Sequence, residues 1–229
     1  MIKELLTKYL DTQKIQYETH VDLKKRTWIH RGGIAGIYIS PASADELETI
    51  VSFLYSEDIS FLLIGHTSNL YILNECNIPV VVSTAKCRYF QIEDGQLFCE
   101  AGVGVINLSK QMIKQGIKGF EYLTGLPGTI GAALVNARVV LKDGSIKIFL
   151  PEDFKYEFRN SVFKKHEVEG TIISAVLKVT LGDAAKMQQM AEENDQDRAR
   201  RLEGHTKNLG CTVNRCFING RMALWLRIV

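Results

Sequence analysis

Apolar positions in the first half of the chain follow two rhythms, one of about 3.6 residues and one of 2, and the changes between them mark the elements. Residues 3–13 put Leu5, Leu6, Tyr9 and Leu10 on one side of a short amphipathic helix. A short strand over Tyr38–Ser40 ends at Pro41, after which Ser43 opens a helix as its N-cap. Glu46, three residues on, completes a capping box. The apolar face of that helix is Leu47, Ile50, Val51 and Leu54, the spacing that packs a helix against a sheet. Phe61–Ile64 reads as a buried strand that stops at Gly65, and Pro79–Val82 as another. Asp94-Gly95, set between Phe90–Ile92 and Leu97–Cys99, predicts a tight hairpin.

Further along, a helix over 105–115 ends at Gly116, and Phe120–Ala137 reads as a glycine-rich turn entering an apolar helix. Asp143-Gly144 marks a second hairpin, between Val139–Leu141 and Ile146–Ile148. Thr171–Thr180 alternates and is β-branched, as a long strand should be. Residues 184–203 form a polar helix with few apolar positions and therefore light packing, and the tail from Cys211 is strand-like around Asn219-Gly220. Helix and strand alternate early and hairpins dominate later, which predicts an α+β fold with more than one sheet. No Gly-x-Gly-x-x-Gly follows the first strand, and Gly102-Val103-Gly104 lacks the third glycine, so a Rossmann site is not expected.

Composition narrows the functional classes. The 229 residues are 46% hydrophobic and 24% charged, ordinary globular values that exclude a disordered or collagen-like chain. A net charge of +2 leaves no electrostatic footprint for nucleic acid or an anionic membrane. Lys24-Lys25-Arg26 and Arg198–Arg201 sit among acids or Gln and read as solvated faces. No stretch approaches the ~18 uncharged apolar residues of a membrane span. The start of the chain lacks a signal-peptide pattern. Cys76, Cys87, Cys99, Cys211 and Cys216 are odd in number and show no CxxC spacing, and the five histidines are scattered. Neither a disulfide framework nor a metal site is expected, and the chain reads as a cytoplasmic protein.

Three segments could carry chemistry. Gly65-His66-Thr67-Ser68-Asn69 follows an apolar strand directly. Successive N–H groups in such a turn can form a concave anion site suited to a diphosphate, although a plain polar turn is the simpler reading of the segment by itself. Gly125-Leu126-Pro127-Gly128-Thr129-Ile130-Gly131-Ala132-Ala133 is a turn leading into small residues. These would expose helix N-terminal amides to a phosphate or let a flat ring approach the backbone, with tight helix packing as the alternative. Phe158-Arg159-Asn160-Ser161-Val162-Phe163 sets an arginine among aromatics, which suits carboxylate or phosphate recognition or a structural ion pair.

In order and spacing these segments resemble the UDP-N-acetylenolpyruvoylglucosamine reductase (UDP-N-acetylmuramate dehydrogenase) family. Its Gly-x-Gly-Ser-Asn-Leu loop is similar to Gly65–Leu70, its Gly-Ile-Pro-Gly-Thr-Val-Gly-Gly-Ala run to Gly125–Ala133, and its Tyr-Arg-x-Ser-x-Phe to Phe158–Phe163. Gly119-Phe120-Glu121 and Arg31-Gly32-Gly33 also look like family positions, and the resemblance covers roughly residues 24–215. It implies the two-subdomain FAD-binding module of the vanillyl-alcohol oxidase-like type. Residues 1–83 would form the first subdomain with the N-terminal helix, and 84–229 the second with a degenerate tail.

The implied cofactor is FAD, with NADPH as co-substrate and a nucleotide-sugar enol ether as hydride acceptor in peptidoglycan biosynthesis. Gly65, His66, Thr67, Ser68, Asn69, Gly128, Thr129, Gly131 and Ala132 would hold the cofactor. By the same resemblance Arg159 would polarise a substrate carboxylate, and Cys211, at a serine position, would donate the proton. Thr67 and Ala132 stand where the family has glycine, and Phe158 stands where it has tyrosine. The family's substrate-domain motifs do not appear before Val229, which implies an open flavin site that a partner chain or homo-oligomer would complete. A non-catalytic FAD-binding or regulatory module, or a cofactor-free remnant of the fold, is the alternative expectation.

Overall fold

The computed structural model describes residues 2–130, 136–157, 160–201, 213–218 and 221–226. Helix α1 (Ile2–Gln13) leads into β1 (Tyr17–Asp22) and β2 (Ile34–Ile39), and α2 (Ala44–Ser56) then leads to β3 (Leu62–Ile64) and β4 (Asn77–Ser83). These strands form one sheet in the order β1-β2-β4-β3, with β2, β4 and β3 parallel and β1 antiparallel at the edge. A second sheet contains β5 (Phe90–Glu93), β6 (Gln96–Glu100), β7 (Asn136–Leu141), β8 (Ile146–Phe149) and β9 (Gly170–Lys178). Its order is β5-β6-β9-β7-β8, antiparallel throughout. Helix α3 (Val105–Lys114) follows β6 and α4 (Ala184–Arg201) follows β9. A last hairpin pairs β10 (Val213–Ile218) with β11 (Arg221–Leu226). The α+β class and the several sheets agree with the sequence.

Local signals hold well where a turn or a cap specifies them. Asp94 and Gly95 have φ of 49° and 71°, the two positive values that a tight hairpin of matching twist requires. Gly116, just past α3, has φ 73° and lets the chain leave the helix. At α2, Ser43 Oγ accepts from the Glu46 amide at 3.2 Å, while Glu46 Oε2 accepts from the Ala42 amide at 2.8 Å. The box thus closes one residue earlier than its usual form. Leu47, Ile50, Val51 and Leu54 are all buried, as their spacing predicts.

Other expectations change. Leu5 is exposed although Leu6 and Leu10 are fully buried, because neighbouring helical positions lie about 100° apart and only one of the two leucines can face the core. The strand expected at 38–40 begins at Ile34 and ends at Ile39. Its partner β1 has no apolar alternation, since it is an edge strand with no fully buried position. Asn136 and Ala137 belong to β7, so the apolar helix expected up to residue 137 does not reach them, and residues 131–135 lie outside the described residues. Helix α4 is as polar as expected, yet Met187 and Ala191 are buried and Asn194 Nδ2 donates to the Glu121 carbonyl at 3.2 Å.

Helix α2 lies between the sheets. Its five buried residues, Ala44 with the four above, share one cluster with Ile37, Ile39, Val80 and Val82 of the first sheet and with Val140 and Ile173 of the second. The junction is tightened by Glu100 at the end of β6. Its buried carboxylate accepts from the Ala44 amide at the start of α2 (2.8 Å) and from the Tyr89 amide before β5 (2.9 Å). Two residues on, a side chain at Gly102 would lie 1.7 Å from the Thr84 carbonyl oxygen, so the 84–87 turn after β4 packs directly on its backbone. Cys87 in that turn is buried, and its thiol is pushed up to about 12 by burial and by Glu100 and Glu46, which keeps it protonated and unreactive.

Glu100→Ala removes both charge-assisted bonds and leaves two amides without their acceptor, so it should cost about 2–5 kcal/mol of unfolding free energy. Glu100→Gln keeps one oxygen and should cost roughly half as much. Urea melts of the three proteins check the order.

Candidate functional site

The first turn begins where Gly65 stops β3. Within it Thr67 has φ 54°, a left-handed conformation that is rare for a β-branched residue and costs about 1–3 kcal/mol. Its hydroxyl supports that conformation from two sides. Oγ1 donates to the His66 carbonyl at 2.8 Å and accepts from the Trp28 amide at 2.7 Å, and the side chain is buried. The turn closes with the Leu70 amide donating to the Thr67 carbonyl at 3.2 Å.

The second turn, at Gly128 and Thr129, lies against the first. A Cβ built on Gly65 would sit 2.8 Å from Thr129 Oγ1, so only glycine lets the two turns approach this closely. Ser68 Oγ is 3.8 Å from the corresponding point on Gly128, whose φ is 144°. The start of α3 fixes the second turn. The Val105 amide donates to the Gly128 carbonyl at 3.1 Å, and the Ile130 amide donates to the Val103 carbonyl at 2.8 Å. His66 joins the two: its ring packs over Gly104 and is hydrogen-bonded to the Gly128 backbone. Burial and the nearby Arg88 lower the His66 pKa, and the bond to Gly128 opposes them. The imidazole is therefore neutral at pH 7.

Among the described residues, the amides of His66, Thr67, Ser68, Asn69, Gly128 and Thr129 donate to no protein acceptor. Open amides on two touching turns are what a diphosphate needs from a protein. A cavity of about 310 Å³ opens beside Gly65 and Thr129, lined also by Thr84, Ala101 and Phe163. It shares Leu63, Phe163, Gly170 and Thr171 with a larger groove of about 510 Å³ that runs past Phe61 and Tyr55. The Lys142–Glu169 ion pair (2.7 Å) and His166 line that groove too. Apolar and aromatic walls beside a polar cradle match the two needs of a nucleotide cofactor, a solvent-shielded ring and a bound phosphate.

Of the residues singled out from the sequence, Gly65, His66, Thr67, Ser68, Asn69, Gly128 and Thr129 come together at this site. Gly131, Ala132, Arg159 and Cys211 lie outside the described residues. The helix N-terminus expected after Gly128 falls on residues 131–135, outside the described residues, so the described part of the second turn is Gly128, Thr129 and Ile130. The sequence also missed the Trp28 tether, the seating of the second turn on Val103–Val105, and the Phe163 and Gly170–Ile172 walls. Gly102-Val103-Gly104 was a usable signal for the seating, since two glycines before a helix allow close backbone approach.

Comparison with known proteins agrees with this geometry. Residues 35–147 match the FAD binding domain family. UDP-N-acetylenolpyruvoylglucosamine reductase of Bacillus pumilus is 27% identical over 209 residues, covering 84% of this chain and 69% of its own length. The next two relatives, from Bacillus subtilis and Exiguobacterium sibiricum, are covered over 62% and 60% of theirs. In fold, the crystal structure of UDP-N-acetylenolpyruvylglucosamine reductase from Thermus caldophilus superposes with a TM-score of 0.69 at 23% identity, over 88% of this chain and 76% of that one. Berberine bridge enzyme from Eschscholzia californica superposes with a TM-score of 0.58 at 13% identity, over 78% and 44%. The fold is thus the FAD-binding module of the vanillyl-alcohol oxidase-like type. Among the described residues no helix is long and apolar enough to cross a membrane. Residues 35–147 thus match an FAD binding domain, and the chain is similar in sequence and in fold to UDP-N-acetylenolpyruvoylglucosamine reductases.

Proposed function

We propose that the chain is an FAD-dependent oxidoreductase of the cytoplasm that takes hydride from NADPH and reduces the enol ether of a nucleotide sugar in peptidoglycan biosynthesis. The observation that carries the reading is the pair of touching turns whose six amides are open to an anion. The names of the relatives support the substrate class. When bound, FAD supplies two-electron hydride chemistry between nicotinamide and substrate.

The chain's own residues have the tasks of binding, orienting and proton delivery. The 65–69 turn would hold the cofactor's diphosphate from one side, and Gly128 and Thr129 from the other, with Gly131 and Ala132 continuing that wall. Residues 1–83 and 84–229 would act as the two lobes that close on it. Arg159 would engage a substrate carboxylate through its planar fork, where developing negative charge makes the contact stronger in the transition state. The Cys211 thiol would hold the proton delivered to the neighbouring carbon, a role that needs it on the substrate side of the flavin. A second chain, as homo-oligomer or partner, would cover the site and exclude water from it.

Titrating the purified chain into FAD should quench flavin fluorescence, and the complex should keep its flavin absorbance through desalting. A chain that leaves free FAD unchanged would rule out the proposal. Anaerobic NADPH should bleach the bound flavin, and a UDP-sugar enol ether should restore its colour. Bleaching by neither nicotinamide would leave a binding module without the reductase activity.

His66 provides an independent reading. Without ligand its imidazole should titrate below the ordinary histidine value, because burial and Arg88 disfavour the imidazolium. A diphosphate on the adjoining amides is an anion, which favours the imidazolium, so the midpoint should rise when ADP or FAD is added. Proton NMR of the ring follows both steps, and an unmoved midpoint at saturating ligand would place the diphosphate elsewhere.

A further inference from the structure

We infer that Thr67 is the positioning residue of the diphosphate cradle, its single hydroxyl fixing the first turn with its amides open and tying it to the Thr27–Arg31 turn. The inference rests on the cofactor site proposed above. Thr67 is buried and left-handed, a conformation that glycine would adopt more easily. What holds it there is visible on both sides of the hydroxyl. The proton goes to the His66 carbonyl, occupying that oxygen, and a lone pair receives the Trp28 amide. A carbonyl facing an anion would repel it, so fixing the carbonyl is as useful to the cradle as leaving the amides free.

The partner segment is itself tightly closed. Thr27 Oγ1 donates to the Arg31 carbonyl at 2.6 Å and accepts from the Arg31 amide at 3.1 Å. The Leu23 amide donates to the Gly33 carbonyl at 2.9 Å, and the Gly32 amide donates to Asn74 Oδ1 at 3.2 Å. Residues 23–33 thus form a hydrogen-bonded loop that meets the site through Thr67. A side chain at Gly33 would lie 1.7 Å from the Cys76 carbonyl oxygen, which leaves this loop little room to shift. An anion that orders the first turn therefore also orders residues 27–31, and the hydroxyl is the link.

Three variants separate the hydroxyl from the shape and from the backbone. Thr67→Val keeps the branch and removes the hydroxyl, Thr67→Ser keeps the hydroxyl, and Thr67→Gly relieves the backbone but loses the tether. Affinity for FAD and for ADP is measured by fluorescence quenching and calorimetry, and amide exchange of 27–31 and 66–69 by mass spectrometry with and without ADP. Loss of a buried hydrogen-bonding partner should weaken both ligands about tenfold or more in Thr67→Val. Thr67→Ser should stay within about threefold of the unaltered chain, because both hydrogen bonds survive. ADP should slow exchange at 27–31 in the unaltered chain and in Thr67→Ser, but not in Thr67→Val or Thr67→Gly. Folded Thr67→Val that binds both ligands normally, or ADP protection at 27–31 that persists without the hydroxyl, overturns the inference alone. Failure of the unaltered chain to bind either ligand removes the cofactor reading and this inference with it.

Discussion

The buried carboxylate of Glu100 is the contact on which the arrangement of the two sheets depends. It accepts one amide from the start of α2 and one from the entry to β5, so a single charged group ties the helix between the sheets to the edge of the second sheet. A buried carboxylate is costly unless its oxygens are used, and here each takes a backbone donor. Beside it the 84–87 turn rests on the bare backbone of Gly102, a contact that any side chain would block. Hydrophobic burial of α2 between the sheets supplies bulk stability, and these two contacts set the register of one sheet against the other.

That register brings the candidate site into being. Residue 65 ends a strand of the first sheet, and residues 128–129 follow the helix that leaves the second. Each turn by itself offers only a few amides, and two turns together offer more donors to a diphosphate. Placed in contact at Gly65 and Thr129, they bring together six amides that have no acceptor among the described residues. Each turn is also anchored behind the surface it presents. Thr67 reaches back to the Trp28 amide, and Gly128 and Ile130 bond to the Val103–Val105 segment. Donors held this way need little reorganisation when an anion arrives, which is how a small number of amides can bind one well.

Much of this was legible in the chain. The hairpins at Asp94-Gly95 and Asp143-Gly144, the cap at Ser43 and the buried face of α2 follow from local geometry, where a few adjacent residues decide the outcome. Edge strand β1 was not legible, because an edge strand with exposed positions carries no periodic burial to read. The helix expected up to Ala137 shows the opposite error. Small apolar residues suit a helix interior and a buried strand equally, and pairing with β9 decided for the strand at Asn136.

By itself the sequence determined the two hairpins, the capped helix α2, the α+β class, the two glycine-bearing turns and the resemblance to a flavoprotein family, because each of these is written in neighbouring residues or in their order. Only the tertiary structure decided that the turns touch, that Thr67 takes a glycine-like conformation held by its hydroxyl, and that His66 bonds to Gly128. These contacts join residues about 40 to 60 positions apart. Their existence depends on how two sheets pack across one helix, and no local pattern in the chain encodes that packing.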